Sequence, residues 1–156
     1  MRKIRPAFTS VKTNMKKQAA AAGNSTARAL EELFQALGDR TRLRLLNLMS
    51  GGEVCVCFFV EVLDEPQPKI SRHLAYLRSA GLVTTTREGK WVHYRIVSPS
   101  DPVVAKALAG VVEAMATDPA MQKDREKLNT ACCSPRAPEI LRRAPKPGRV
   151  GEFRST

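Results

Sequence analysis

Four cysteines fall in two close pairs, Cys55 with Cys57 and Cys132 with Cys133, in a chain of 156 residues. Thiolates are soft donors that select thiophilic ions over hard ones, and they are also the side chains that oxidise most readily. Neither pair has the C-x-x-C spacing of a zinc knuckle or a thioredoxin-type motif. In a reducing compartment the thiols therefore read as free groups, metal ligands or redox groups rather than structural disulfides. A second feature is cationic. Between Lys69 and Arg95 stand Lys69, Arg72, Arg78, Arg87, Lys90 and Arg95 against the single acid Glu88. The formal net charge is +11, but residues 1–23 hold six basic and no acidic groups, and 134–156 hold six basic and two acidic. The body between the tails is therefore nearly neutral, and a local basic cluster on a near-neutral body is the electrostatic footprint of a nucleic-acid face.

The elements that would carry these groups follow from hydrophobic spacing. From Thr26, Leu30, Leu33, Phe34 and Leu37 recur at helical intervals, Gly38 stops that helix and Asp39 caps the next, which carries Leu43, Leu45, Leu46, Leu48 and Met49. A short helix holding Phe58, Phe59, Val60, Val62 and Leu63 leads to the turn Asp64–Pro68. A helix over Lys69–Ala80 then buries Ile70, Leu74 and Leu77, and Gly81 ends it. Two helices joined by a tight turn, the second one basic, predict a helix-turn-helix over about 56–80. The period then changes: Leu82–Val97 is rich in Val, Thr, Trp and Tyr around Arg87-Glu88-Gly89-Lys90, which predicts a β-hairpin wing. A helix capped by Asp101 runs over about 101–116, and a last one spans about 119–130.

The expected fold class is mainly α with a small β-hairpin (α+β), a winged helix-turn-helix with N- and C-terminal dimerisation helices. Residues 1–26 are expected to be a flexible basic arm, 27–133 the folded domain and 134–156 a disordered basic tail. The stripe Val104, Leu108, Val111, Val112 and Met115 is apolar enough to need a partner, so a homodimer through 101–116 and the helix around Leu30–Leu37 is expected. The longest apolar run, Val54–Val60, is far short of the roughly 20 residues of a membrane span. With no signal peptide evident, a soluble cytoplasmic protein is expected. No nucleophile–base motif and no glycine-rich phosphate loop point to an enzyme.

Four motifs carry a family resemblance. Ala36-Leu37-Gly38-Asp39-Arg40-Thr41-Arg42 resembles the "LADPTR" opening of the ArsR/SmtB family of metal-responsive repressors, and Glu53-Val54-Cys55-Val56-Cys57 resembles the ELCVC motif of its arsenical-resistance members. Ile70-Ser71-Arg72-His73-Leu74-Ala75-Tyr76-Leu77-Arg78 is similar to the family's recognition helix, and Gly89-Lys90-Trp91-Val92-His93-Tyr94-Arg95 to its wing. The resemblance covers roughly residues 28–116. It departs at Val60, where the best-known arsenical members carry a third cysteine.

What the resemblance implies is a repressor bound to double-stranded operator DNA, with no cofactor required for DNA binding. As(III) or Sb(III) would act as inducer. Trivalent arsenic favours three sulfurs, so Cys55 and Cys57 with one thiolate of Cys132–Cys133 would suffice. Cys55 and Cys57, at i and i+2, do not share a face of a relaxed helix, so ligation is expected to distort the chain there. On the DNA side, Gln67, Lys69, Ser71, Arg72 and Tyr76 lie on or before the exposed face of the second helix. Arg87 and Lys90 sit at the hairpin tip. His73 borders the buried face as a structural group or phosphate contact, and His93 is expected on the hairpin's polar side. Residues 101–117 contain no His, which argues against the zinc cluster of other members. Three alternatives remain: a Cd(II)/Pb(II) sensor using all four thiols, a thiol redox sensor, and a constitutive DNA-binding protein with inert cysteines.

Overall fold

The computed structural model describes residues 26–133, 137 and 139–148. The basic arm ahead of residue 26 lies outside the described residues.

The first helix, α1, covers residues 26–37, and α2 covers Arg40–Met49. Asp39 separates them in extended conformation, and its Oδ1 accepts the amide hydrogen of Arg42 at 2.9 Å. That is the capping role its side chain suits, since a short carboxylate reaches an otherwise unpaired first-turn amide. Strand β1, Val54–Cys55, precedes α3, Val56–Leu63. Asp64 ends α3 in the left-handed region at φ 53° and swings the chain into α4, Gln67–Ser79, which has Pro68 in its first turn. Gly81, at φ 71°, turns the chain out of α4 into strands β2, Val83–Glu88, and β3, Trp91–Ile96. Glycine suits that left-handed turn because it carries no Cβ.

The three strands form one antiparallel sheet in the order β1-β3-β2. Strand β1 escaped the sequence reading because its two residues run straight into α3 without a turn. Its pairing matters: Cys55 stands opposite His93 and Val54 opposite Tyr94, so the first thiol is stitched to the wing. His93 is consequently buried rather than on the hairpin's polar side, because it shares the inward face with Cys55.

Helix α5, Pro102–Met115, is capped by Asp101, whose Oδ1 accepts the Val103 amide at 2.8 Å and whose Oδ2 accepts the Thr26 hydroxyl at 2.6 Å. The starts of α1 and α5 are thus tied together. The apolar stripe on α5 is largely satisfied within the chain: Val104, Leu108 and Met115 are buried, whereas Val103 on α5 and Phe34 on α1 are 52% and 60% exposed.

Helix α6, Pro119–Cys133, lies across α2 and α3. A polar clamp holds it there. Arg44 donates from Nε and Nη2 to the buried Asp124 carboxylate at 2.6 and 2.8 Å, and Asn47 Nδ2 donates to the Met121 carbonyl at 2.9 Å. Arg125 donates back to Asn47 Oδ1 at 3.0 Å. Residues Glu139–Arg143 form a short helix, α7, with Leu141 buried, and Ala137 and Ala144 are buried beside it. The disordered tail expected from residue 134 is therefore corrected over this stretch: Leu141 finds an apolar seat that a scan for prolines and charge does not anticipate. Among the described residues the core joins Leu33, Leu45, Leu46, Phe58, Phe59, Ile70, Leu74, Leu77 and Leu82.

Candidate DNA interface and thiol site

Helix α4 buries Ile70, Leu74 and Leu77 at i, i+4 and i+7, which fixes its opposite face toward solvent. Gln67, Ser71, Arg72, Tyr76 and Arg78 are exposed there. Of the residues expected to meet DNA, Ser71 and Arg72 stand at the centre of this face. Lys69 is half-buried and its Nζ lies 2.6 Å from Glu65 Oε1. His73 is set back: its Nδ1 is 3.5 Å from Asp39 Oδ1, so it links α4 to the cap of α2. Tyr76 carries the Arg42 guanidinium 4.3 Å from its ring centroid, and Arg42 also donates to the Gln35 carbonyl at 2.8 Å. Arg42 thus braces α4 against the end of α1. The motif around it was legible in the sequence, but a guanidinium bridging three elements has no local signature.

The wing completes the basic face. Gly89, at φ 59°, forms the β2–β3 turn, and the exposed Arg87 and Lys90 flank it. Arg87 donates to the Gly89 carbonyl at 3.2 Å, and Lys90 Nζ lies 5.0 Å from the Trp91 ring centroid. Both side chains are thus held close to the turn, and both residues are exposed.

Behind this face lies the thiol pair. Cys55 is the last residue of β1 and caps α3 in extended conformation, φ −70° and ψ 142°, while Cys57 lies in the first turn. Because Cys55 is outside the helix, the rule that i and i+2 diverge does not apply. The Cys57 thiol approaches Cys55 Sγ to 3.1 Å, which corrects the premise that the two side chains diverge. Two sulfurs at that separation lie within reach of one ion whose bonds to thiolate are about 2.3 Å, as they are for zinc. The hydrogen bond from Cys57 pulls the Cys55 thiol down to about 6, against its burial, with help from the Cys57 amide and the charge of His93. The same bond, with burial, pushes the Cys57 thiol up. One thiol of the pair is thus prepared as a thiolate while the other keeps its proton.

Two further polar atoms line this region. His93 Nε2 lies 3.9 Å from Glu88 Oε2 and, like Glu53 Oε1, is buried without a hydrogen-bond partner. Cys132 is half-buried near the end of α6, and Cys133 closes that helix with its side chain outside the described residues. Among the described residues no three His, Cys, Asp or Glu side chains converge as a metal group; what is brought together there is the pair Cys55 and Cys57. None of the described helices is long and apolar enough to cross a membrane.

With this geometry in place, comparison with known proteins is specific. Residues 39–85 match the arsR family of bacterial regulatory proteins, a span running from the cap of α2 into β2. The chain is 53% identical over 75 residues to the arsenical resistance operon repressor of Escherichia coli, covering 47% of this chain and 63% of that one. It is 48% identical over 67 residues to an uncharacterized HTH-type transcriptional regulator of Methanocaldococcus jannaschii, covering 42% of this chain and 75% of the relative. Among solved structures, HlyU from Vibrio cholerae superposes with a TM-score of 0.52 at 26% identity over 59% of this chain and 97% of its own. The fold is similar to that of the bacterial regulators it matches. The chain belongs to the arsR family. It nevertheless spans just under two thirds of the length of the E. coli repressor.

Proposed function

We propose that this protein is a homodimeric, cytoplasmic repressor of an arsenic-resistance operon. In this reading it holds its operator through α4 and the wing and releases it when As(III) or Sb(III) is captured by thiolates. The observation that carries the reading is the Cys55–Cys57 contact of 3.1 Å at the junction of β1 and α3. That junction lies between the helix-turn-helix and the wing. Any change in it is felt on one side by α3, which packs on α4, and on the other by β3, which pairs with β1. Names of relatives support the inducer: the E. coli protein is called an arsenical resistance operon repressor, and a Pseudomonas putida relative, 46% identical over 83 residues, an arsenic resistance transcriptional regulator.

In this reading Cys55 and Cys57 supply two thiolates and the Cys132–Cys133 pair at the end of α6 supplies the third. In this reading the third sulfur comes from the end of α6, in the same chain or in a second copy of it. Gln67, Lys69, Ser71, Arg72 and Tyr76 address the major groove, His73 supports them from behind, and Arg87 and Lys90 meet the flanking backbone.

The sulfur contact also favours a second reading, oxidation of the same pair to a disulfide. One experiment decides. Operator binding is titrated side by side with arsenite, cadmium, zinc and peroxide. Release by arsenite at stoichiometric concentration supports the proposal, and release by peroxide alone, with arsenite inert, supports the redox reading.

A further inference from the structure

The C-terminal segment has no part in the reading above, yet it is placed against the wing. Lys90 and Trp91 of the β-turn and Glu139, Ile140 and Arg143 of α7 together line one open cleft of about 280 Å³. Helix α7 is seated by its buried Leu141, and the chain beyond it returns to the body, where the Gly148 amide donates to the Glu53 carbonyl at 3.2 Å. The segment is thus fastened at both ends, and its basic groups have fixed positions relative to the wing.

Those groups are suited to an anionic partner. Arg142 donates from Nε to the Ala137 carbonyl at 2.8 Å, which orients its guanidinium and leaves the terminal nitrogens unused by that bond. Arg143 pairs with Glu139 at 2.7 Å, but both are strongly exposed, at 70% and 76%, so this surface pair is weak and exchangeable. Lys146 follows, and over 139–148 Glu139 is the single acid against three bases. Lys90 faces them from the wing. Exposed Ile140, together with the ring of Trp91, gives the cleft an apolar floor of the kind a deoxyribose can rest on.

We propose that α7 and the wing turn form one continuous surface, on which Arg142 and Arg143 join Lys90 in holding the DNA backbone flanking the sequence read by α4. This rests on the DNA-binding reading above. Phosphate contacts position a protein without reading bases, and each one adds to the salt dependence of binding.

The test uses the full chain and an operator fragment carrying flanking DNA. The double variant Arg142→Gln/Arg143→Gln removes two contacts from each protomer, so the slope of log K against log salt should become shallower by about 1.8 for every protomer bound. Hydroxyl-radical protection of the flanking backbone should fade while protection at the centre persists. Arg142→Lys/Arg143→Lys should keep the slope, since charge is what the backbone senses. Leu141→Ala, which unseats α7 but keeps its charge, should lose the flanking protection. An unchanged slope with unchanged flanking protection in the Gln variant overturns the proposal. So does a shallower slope with protection intact, because the arginines would then act only through net charge. Arg72→Ala serves as the control: if it and the wild type bind DNA equally poorly, the DNA-binding reading itself fails instead.

Discussion

The chemistry of single residues concentrates at Cys55. Its side chain is fully buried, so an inducer reaches it only when the β1–α3 junction opens, whereas Cys57 is half-exposed and offers the first point of attack. With its pKa pulled down to about 6 by the Cys57 hydrogen bond, Cys55 should show ultraviolet thiolate absorption that grows as pH rises through that value. Cys57→Ser should shift the absorption toward higher pH, because a hydroxyl donor binds the thiolate in a different geometry; titration that stays in place would remove Cys57 as the cause. Cys55→Ser or Cys57→Ser should still bind operator and ignore arsenite. A Cys55→Ser protein that releases DNA at the wild-type arsenite concentration would remove this pair as the site. Replacing Cys132 and Cys133 together should weaken or abolish the response, while replacing one alone leaves a neighbour to take its place. The pairs themselves were legible in the sequence, since spacing and residue type are all they require. Where the second pair falls in space was not, because it depends on where α6 lies, and α6 is held to α2 by Arg44 and Asp124, 80 residues apart. Asp124→Ala should cost about 2 kcal/mol in thermal or denaturant unfolding, as expected when a charged hydrogen-bond partner is removed from a mostly buried guanidinium. A loss within experimental error would show that α6 is held by Leu128 and its apolar neighbours instead.

At the level of elements, the caps were the most legible feature. Asp39 and Asp101 both do what an Asp ahead of an apolar-periodic run predicts, because a cap is a contact within three residues. Asp39 also stands between His73 and Arg42. Burial works to raise its pKa, but the Arg42 amide and the charges of His73 and Arg42 hold it below the ordinary carboxylate value. A carboxyl whose pKa is lower folded than unfolded stabilises the fold above the unfolded value, and that contribution disappears as pH falls through the folded one. Asp39→Ala should therefore cost about 1 kcal/mol at neutral pH. Asp39→Asn should keep most of the cap and lose stability less steeply in acid. An acid limb identical to wild type would mean that Asp39 is not the group that titrates. Strand β1 and helix α7 were the illegible elements, and for one reason: two and five residues carry too little period to register, and both exist because something distant, β3 in one case and the body around Leu141 in the other, accepts them. The recognition helix and the wing should separate on DNA. Arg72→Ala should cost roughly 1–3 kcal/mol on the operator and relax its specificity, whereas Lys90→Ala should weaken all sequences alike and lower the salt slope by about one for each protomer bound. Equal losses on operator and random DNA for Arg72→Ala would assign it to the backbone.

For the whole molecule, two equilibria meet: assembly and release. The dimer expectation now rests on a smaller footing than the α5 stripe suggested, since Val104, Leu108 and Met115 are consumed inside the chain. What remains outward is Phe34 on α1 and Val103 on α5, on two helices whose starts are joined by the Thr26–Asp101 bond. Sedimentation should give a dimer at micromolar concentration, and Phe34→Glu should weaken it; a monomer that binds operator with wild-type affinity would remove the dimer from the proposal. A dimer implies a two-fold operator, with one α4 in each of two successive major grooves. Release then follows from linkage. An inducer shifts the balance between free and DNA-bound protein only by its difference in affinity for the two, and operator must weaken inducer binding by the same factor. A coupling of about 1–3 kcal/mol is typical of such systems, which corresponds to roughly 5–150-fold. Two titrations give that factor independently: operator affinity with and without saturating arsenite, and arsenite affinity with and without operator. The path proposed for it runs through the β1–β3 pairing at Cys55 and His93 and through the packing of α3 on α4. His93→Gln keeps a side chain of similar reach opposite Cys55 but removes the imidazole that helps lower the Cys55 thiol's pKa, so it should lower arsenite affinity while leaving operator affinity near wild type. If His93→Gln instead reduced operator affinity and left arsenite affinity unchanged, the pairing would be a support for the wing alone, and the coupling would have to pass through α3.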